Sequence, residues 1–225
     1  MVQDAKLPVR LPVHGFVLAG GKSSRMGEDK ALLRFCGRPM VEIAVEKLRG
    51  FCAEVTIAGN REDLGEFAPV VRETRTGVGP AAGIEAGLGA ASEGWALFVP
   101  VDVPLVPGEL LRRWCEEALR VGMSVSLLGA GGRKQPAFCL LQRERVGAFT
   151  DLLDGGERRL EVLLNRSAES DGFASWTYDE HVLYGRVEEG APDAETVERW
   201  FKNVNTPEDL AEAEAWAGAD RVGGR

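Results

Sequence analysis

Histidines and long apolar runs are scarce in this chain, and basic residues are outnumbered by acidic ones. Its 225 residues include 27 Lys and Arg against 35 Asp and Glu, a net charge of −8, which makes the surface acidic. This balance argues against broad binding to nucleic acid or to anionic membranes, which requires a basic surface. The two histidines, His14 and His181, are too few for a histidine-rich zinc site. No apolar run approaches the roughly 20 residues of a membrane-spanning helix, so we expect no membrane partner.

Paired cysteines and an apolar amino-terminal segment are also lacking. The opening residues MVQDAKLPVRLPVHG contain no apolar core of the kind found in signal peptides. No C-x-x-C pair occurs, which indicates reduced, mostly buried thiols and a cytoplasmic protein. The cysteines are Cys36, Cys52, Cys115 and Cys139.

Short β-rich runs alternate with helical patterns along most of the chain. Strands are predicted at residues 14–19, 53–59, 68–73, 94–101, 123–129, 134–142 and 200–204. Helices are predicted at residues 39–49, 81–91 and 108–121, twice within 143–165, and from Thr206, where T-P-E-D is a capping pattern. This alternation predicts an α/β fold with a mostly parallel sheet covered by helices on both faces. We expect an extended leader at residues 1–13, one domain at 14–217 and a flexible tail at 218–225.

The stretch LAGGKSSRMGEDK, residues 18–30, follows the first predicted strand and concentrates glycine and basic residues. Adjacent glycines at the carboxyl end of a strand let the backbone approach a ligand and point N–H groups at its oxygens. Lys22, Arg25 and Lys30 can offset the charge of a triphosphate. Neither the P-loop spacing nor the G-x-G-x-x-G dinucleotide spacing is matched. The stretch therefore indicates a phosphate-binding loop of another kind, with a solvated turn as the alternative.

Two polar residues follow other predicted strands. Asp102, in FVPVDVPLVP, ends an apolar run and is expected at the same sheet edge as the first loop. Mg²⁺ usually takes one or two carboxylates together with waters and substrate phosphates, so Asp102 is a candidate magnesium ligand. The alternative for Asp102 is a solvated turn. Asn60, after the second strand, can hydrogen-bond a base or a ribose.

The pattern L-A-G-G-x-S-x-R-M-G-x-D-K of residues 18–30 resembles the nucleotidyltransferase signature of the molybdenum cofactor guanylyltransferases. The D-x-P step at Asp102 and N-x-N-T-P-E-D at residues 203–209 also resemble segments of that family. The resemblance covers residues 14–216 and implies a three-layer, Rossmann-like nucleotidyltransferase fold. It implies transfer of GMP from GTP to the terminal phosphate of molybdopterin, with Mg²⁺ or Mn²⁺ and with release of pyrophosphate. It also implies partner proteins that deliver molybdopterin and molybdoenzymes that accept the product.

The same resemblance implies roles for individual residues. Arg25, Lys30 and Asp102 would be catalytic, and Asp102 would hold the metal. The residues expected to contact GTP are Leu18, Ala19, Gly20, Gly21, Lys30, Asn60, Glu73 and Asp102. The residues expected on the molybdopterin side are Gln135, Arg158, Arg159, Asn203 and Asn205. For the two arginines, a solvated helix face is the alternative.

Two other functions stay open. A related nucleotidyltransferase would use CTP, or would act on a sugar or alcohol phosphate. Cytidylyl relatives typically read L-A-A-G and D-x-D-T-P, whereas this chain has Gly20 and Asn203-x-Asn205. The chain departs from the guanylyl pattern at Ala58, where asparagine is frequent, and at Glu73, where aspartate is common, and both departures weaken the case for guanine. A non-catalytic nucleotide-binding or adaptor protein would lack Lys30 or Asp102, and both are present.

Overall fold

A seven-stranded sheet runs through the centre of the protein. The computed structural model describes residues 10–20, 30–130, 132–169, 176–178 and 193–223. The strands are β1 (Leu11–Leu18), β2 (Arg34–Phe35), β3 (Arg38–Pro39), β4 (Cys52–Ala58), β5 (Val70–Val71), β6 (Trp95–Pro100), β7 (Val125–Ala130), β8 (Arg133–Gln142) and β9 (Trp176–Tyr178). The helices are α1 (Met40–Arg49), α2 (Pro80–Ala90), α3 (Gly108–Val121), α4 (Val146–Asp154), α5 (Leu160–Glu169), α6 (Ala194–Trp200) and α7 (Pro207–Gly223). The sheet has the strand order β5–β4–β1–β6–β8–β7–β9, and β2 pairs with β3 in a separate hairpin.

The middle of the sheet is parallel. β1 pairs in parallel with β4 on one side and with β6 on the other, and β5 continues the parallel part beyond β4. Leu18 lies opposite both Ala58 and Pro100, so β1, β4 and β6 end side by side. Among the described strands, β8 runs antiparallel to both of its neighbours, β6 and β7. The mostly parallel α/β fold predicted from the sequence is confirmed, and three strand ends meet at its carboxyl edge.

Helices cover both faces of the sheet because successive strand residues point to opposite sides. On β1, Val13 and Val17 belong to one apolar core together with residues of α1 and α3. Phe16 and Leu18 belong to a second core with residues of α2, α4 and α5. Each face of the sheet therefore has its own buried core, which gives the three layers that the family resemblance implied.

The helices on the first face begin and end where their sequences predict. α1 begins at Met40, directly after Pro39, which is tolerated where no helical N–H bond is needed. α3 covers Gly108–Val121, the predicted range, and stops at Gly122. Gly122 has a φ of +77°, in the left-handed region that favours glycine, and its N–H donates to the carbonyl of Ala118 at 3.0 Å.

Two elements, β1 and α7, extend beyond the residue ranges that the sequence predicted. β1 begins at Leu11 rather than at His14, and the N–H of Leu11 donates to the carbonyl of Phe51 at 2.8 Å. α7 continues to Gly223, beyond residue 217, where the domain was expected to end. The hairpin of β2 and β3 and the helix α6 were not predicted, since both are too short for a clear periodic pattern.

The strand predicted at residues 200–204 is wrong. α6 ends at Trp200, and the chain then crosses the carboxyl edge of the sheet without joining a ladder. The N–H of Val204 donates to the carbonyl of Asp102 at 2.8 Å, past the last residue of β6. Trp200, Phe201 and Val204 are apolar because they pack on the first core, and that packing explains the strand-like composition.

The cysteines are free thiols, with Cys52, Cys115 and Cys139 buried and Cys36 exposed, as the composition predicted. Within the described parts of the chain, no helix combines the length and apolar character needed to cross a membrane.

Candidate active site at the carboxyl edge of the sheet

The loops that follow β1, β4 and β6 are joined to one another at the carboxyl edge. The N–H of Ala19 donates to the carbonyl of Ala58 at 3.0 Å, and the N–H of Val101 donates to the carbonyl of Leu18 at 3.2 Å. A cavity of about 350 Å³ opens beside these loops. Ligands of open α/β sheets bind at this edge, so the cavity is the candidate site. The predicted site residues in its lining are Leu18, Ala19, Gly20, Lys30, Asp102, Gln135 and Asn203.

Lys30, Asp102 and Asn205 form a polar cluster at the cavity. The Lys30 ammonium donates to Asp102 Oδ2 at 3.1 Å and also to Asn205 Oδ1. The side chains of Lys30 and Asp102 are 27% and 21% exposed, so water screens their attraction only in part. The three residues meet because the first loop, the end of β6 and the segment before α7 converge at this point.

The start of α7 orients Asn205. Thr206 Oγ1 accepts a hydrogen bond from the N–H of Asp209 at 3.1 Å. Asp209 Oδ2 in turn accepts from the N–H groups of Asn205 and Thr206, each at 3.0 Å. This reciprocal arrangement is a capping box, as the T-P-E-D run predicted. It fixes the backbone of Asn205 just before the helix and so directs the Asn205 amide toward Lys30.

The oxygen atoms of Asp102 and Asn205 suit a hard divalent cation. Both atoms contact one positive group, the Lys30 ammonium, so they already create a site that favours positive charge. Mg²⁺ accepts carboxylate and amide oxygens and completes its coordination with water and phosphate. In the part of the chain that the structure describes, no group of three or more His, Cys, Asp or Glu residues is placed to hold a metal. Asp102 and Asn205 supply two oxygen donors, and such an ion would complete its coordination with waters and a bound phosphate compound.

Glu73 reaches from the loop after β5 to the backbone of Gly20. A Cβ atom placed on Gly20 would lie 2.1 Å from Glu73 Oε1, and one placed on Gly83 would lie 3.2 Å from the same oxygen. A Cβ at residue 20 would displace the carboxylate from this position, and one at residue 83 would make a tight contact with it. Burial raises the pKa of Glu73, since a partly desolvated carboxylate is harder to ionise. A ligand that enters beside Gly20 would meet a partly buried hydrogen-bond acceptor.

Asn60 lies directly after β4, beside the first loop. Its neighbour Gly59 packs closely there, because a Cβ on Gly59 would lie 3.2 Å from both Ala19 C and Gly20 N. The Asn60 side chain is exposed, and Asn60 is not among the described residues that line the cavity. The loop that carries Asn60 therefore lies beside the cavity, while the exposed Asn60 side chain lies outside the cavity lining.

The middle of the first loop lies outside the described residues. This segment includes Gly21, Lys22 and Arg25, so their predicted contacts with phosphate stay predictions. The two described ends of the loop, Gly20 and Lys30, both line the cavity.

The residues expected on the molybdopterin side divide into two groups. Gln135 and Asn203 line the cavity, and Asn205 joins the cluster beside it. Arg158 and Arg159 are exposed and are not among the cavity's described lining residues. Arg158 Nη1 donates to the carbonyl of Leu153 at 2.7 Å, and Arg159 pairs with the Glu157 carboxylate at 3.1 Å. Both lie just before α5 in an exposed, paired setting, and their predicted contact with molybdopterin stays a prediction.

Phe138 and Ala31 also line the cavity, and the sequence did not single them out. Phe138 is buried in β8, and the sequence gives no reason to assign an apolar strand residue to a binding site. The antiparallel pairing of β8 with β6 brings it there, and no local sequence pattern specifies that pairing.

Comparison with known proteins agrees with this geometry. The family described as the MobA-like NTP transferase domain matches residues 15–170. A molybdenum cofactor guanylyltransferase from Vibrio cholerae is 32% identical, over 94% of this chain and 97% of the relative. One from Shewanella woodyi is 31% identical, over 90% of this chain and 97% of the relative.

Solved structures show the same fold. The molybdopterin-guanine dinucleotide biosynthesis protein A of Archaeoglobus fulgidus matches with a TM-score of 0.71 and 24% identity, over 92% of this chain and 99% of that one. The 2-C-methyl-D-erythritol 4-phosphate cytidylyltransferase of Thermus thermophilus matches with a TM-score of 0.61 and 20% identity, again over 92% and 99%. The extent of the sequence matches, joined to the cluster at the sheet edge, shows that the chain is a nucleotidyltransferase and belongs to the molybdenum cofactor guanylyltransferases of the MobA-like NTP transferase family.

Proposed function

We propose that the protein transfers GMP from GTP to the terminal phosphate of molybdopterin and releases pyrophosphate. The observation that carries the proposal is the contact of the Lys30 ammonium with the oxygens of Asp102 and Asn205 at the cavity. The names of the curated relatives support the same reaction. Both substrates are anions, so the first task of the site is to hold two phosphates close together.

The chemistry exchanges one phosphoanhydride bond for another. An oxygen of the molybdopterin phosphate bonds to the α-phosphorus of GTP, while the bond from that phosphorus to the oxygen bridging to the β-phosphate breaks. Pyrophosphate leaves with the electron pair. The attacking oxygen is ionised at neutral pH, so the step needs no covalent protein intermediate, and positioning and electrostatics supply the acceleration. Lys30 offsets phosphate charge from its place at the cavity, and Arg25 is proposed to do so from the first loop.

Asp102 and Asn205 would hold Mg²⁺ or Mn²⁺. When bound, such an ion would add positive charge at the reacting phosphates. The chain prepares these two ligands through its own hydrogen bonds. The N–H of Val204 holds the carbonyl of Asp102 at 2.8 Å, and the Asp209 carboxylate holds the N–H of Asn205 at 3.0 Å.

Glu73 is the proposed base-recognition residue. Its carboxylate can accept the paired N–H donors of guanine, and it lies against Gly20 at the end of β1. Cytosine offers no such pair of adjacent N–H donors to a carboxylate, so this placement favours GTP over CTP. Asn60, at the outer side of the same loops, is proposed to hydrogen-bond the base or the ribose.

On the opposite side of the cavity, Gln135 and Asn203 are proposed to contact molybdopterin. Both line the cavity on the side of β8 and of the segment before α7. The proposal leaves Arg158 and Arg159 out of the binding surface, because their guanidinium groups already bond to residues near the end of α4.

The test is pyrophosphate release in the presence of molybdopterin, Mg²⁺ and one of GTP, CTP or ATP, followed by mass analysis of the pterin product. We expect turnover with GTP to exceed turnover with CTP and ATP. Asp102→Asn should lower the GTP reaction about 100-fold, the scale on which removal of one key electrostatic group acts. Asp151→Asn, which makes the same change at an exposed position on α4, is the matched control and should be unaffected.

Each result bears on a different part of the proposal. Equal or faster turnover with CTP would overturn the assignment of guanine. Unchanged GTP turnover in Asp102→Asn would overturn the role given to the cluster. A product whose mass has not increased by a nucleotide monophosphate would overturn the reaction itself.

A further inference from the structure

A half-buried lysine contacts the turn that carries Asp102. Lys47 is in the last turn of α1, on the first face of the sheet, and its ammonium donates to the carbonyl of Pro104. Asp102 is two residues before Pro104 in the turn between β6 and α3. Lys47 is therefore linked through Pro104 to the turn that carries Asp102.

The surroundings of Lys47 are apolar. Together with Val103, Val106 and Leu111, it lines a small internal cavity of about 10 Å³. No carboxylate among the described residues pairs with its ammonium. Burial lowers the pKa of Lys47 to about 8, because the charged form loses its hydration without gaining an anionic partner. Burial of an ammonium in this way costs free energy, and an apolar residue would fill the same space without that cost.

The small cavity adjoins the candidate active site. Pro100, Val101 and Phe138 line both of them, so the two cavities share part of a wall. The start of α3 also packs on the lysine, since a Cβ on Gly108 would lie 3.7 Å from Lys47 Cβ.

The Asp102 turn is held from three directions. Lys30 contacts the carboxylate, and the N–H of Val204 contacts the backbone carbonyl of Asp102. Both contacts come from segments that border the substrates. The contact from Lys47 comes from α1, whose residues Val41, Val45 and Leu48 are buried in the core. This contact adds a polar link between the turn and α1, beside the packing of Val103 and Val106 in the same core.

We propose that Lys47 is a positioning residue, whose ammonium holds the carbonyl of Pro104 so that the Asp102 carboxylate stays in place for the divalent ion. The inference rests on the proposed function, in which Asp102 is a metal ligand. Residues that orient metal ligands typically change metal affinity about 10- to 100-fold when they are removed. Lys47 therefore acts on metal affinity and does not touch the substrates.

The test is Mn²⁺ binding to protein that holds a non-hydrolysable GTP analogue, with free Mn²⁺ measured by electron paramagnetic resonance. Lys47→Met keeps the length of the side chain but removes the donor. Lys47→Gln supplies a second variant, since its shorter amide no longer reaches Pro104. Both should fold with a melting temperature near that of the unchanged protein and should bind Mn²⁺ about tenfold more weakly.

Two further variants test whether weaker Mn²⁺ binding is specific to the loss of the contact between Lys47 and Pro104. Arg49→Met is the matched control, because Arg49 is also in the last turn of α1 and donates to a carbonyl, that of Phe67, at 2.6 Å. It should bind Mn²⁺ normally. Asp102→Asn should bind Mn²⁺ more weakly than any of the Lys47 variants.

The outcomes are distinct. Normal Mn²⁺ binding in both Lys47 variants, with weak binding in Asp102→Asn, would overturn the inference and leave the proposed function standing. Failure of both Lys47 variants to fold would also overturn it, since the lysine would then act on stability. An equal loss of Mn²⁺ affinity in Arg49→Met would also overturn the inference, because the effect would then not be specific to Lys47. Normal Mn²⁺ binding in Asp102→Asn would overturn the metal role in the proposed function.

Discussion

Gly20 and Glu73 act as a pair. The Glu73 carboxylate occupies the space where a side chain on residue 20 would begin, at 2.1 Å from a Cβ placed there. The sequence showed the glycine as part of a loop motif and the glutamate as a departure from the family pattern. Glycine at residue 20 therefore leaves the Glu73 carboxylate in its place beside the end of β1.

Gly20→Ala should lower GTP affinity about tenfold, because the added methyl group moves the Glu73 carboxylate and a base loses its hydrogen-bond acceptor. CTP affinity should change less, so the preference for GTP should narrow. Affinities for both nucleotides can be measured by calorimetry.

Gly89→Ala is the matched control, because Gly89 is on α2 and a Cβ there meets nothing within 4 Å. A Gly20→Ala protein that binds GTP as tightly as the unchanged protein would contradict the role given to Glu73.

At the scale of elements, the start of α7 links helix capping to the active site. Asp209 closes the capping box and also holds the N–H of Asn205, whose side-chain oxygen contacts Lys30. The sequence predicted the cap, since capping depends on residues within one turn. It predicted a strand just before the cap, because apolar composition alone does not distinguish a strand from a loop that packs on the core.

Asp209→Ala should lower the free energy of unfolding by about 1 kcal/mol, the usual cost of losing a helix cap. It should also lower kcat/KM about tenfold, since Asn205 would lose the bonds that hold its backbone. Urea unfolding and pyrophosphate release measure the two effects.

Glu208→Ala removes a neighbouring exposed acid from the same first turn, and it should leave kcat/KM unchanged. If Asp209→Ala loses stability alone, the link between the cap and the site is wrong.

At the scale of the whole molecule, His14 joins three segments of the fold. Its Nε2 is 2.8 Å from Thr56 Oγ1 on β4, and its Nδ1 accepts from the N–H of Ser92 at 3.2 Å, in the turn between α2 and β6. His14 on β1 is buried and stacks on Phe16. Because Nδ1 accepts a hydrogen bond from a backbone N–H, this arrangement favours the neutral form of the ring.

Burial lowers the pKa of His14 below its ordinary value of 6.5, although the carboxylates of Glu54 and Glu93 oppose this shift in part. The unfolded chain therefore takes up the proton more readily than the folded protein. The stability due to neutral His14 is present above about pH 6.5 and is lost as the pH falls through the folded pKa.

We expect the free energy of unfolding to fall between about pH 7.5 and about pH 5.5, and to fall less steeply in His14→Gln. Urea unfolding at both pH values measures the slope, and His181→Gln shows any contribution from the other histidine. The same slope in His14→Gln and in the unchanged protein would contradict the role of His14.

The sequence by itself determined the alternation of strands and helices, the helix caps and the phosphate-loop signature. Each of these depends on neighbouring residues, through apolar periodicity, capping groups and the conformational freedom of glycine. It also indicated Lys30 and Asp102 as separate candidates through their own chemistry, and the family resemblance added Asn205 through the N-x-N-T-P-E-D segment.

Only the tertiary structure decided which of these residues meet. Lys30 is 72 residues from Asp102 and 175 from Asn205, and the contacts between them depend on the strand order β4–β1–β6 and on the path of the chain before α7. The same holds for Glu73 against Gly20 and for Lys47 beneath Pro104. A sequence motif shows which chemical groups are present. The packing of the sheet and its helices determines which of these groups are close enough to interact.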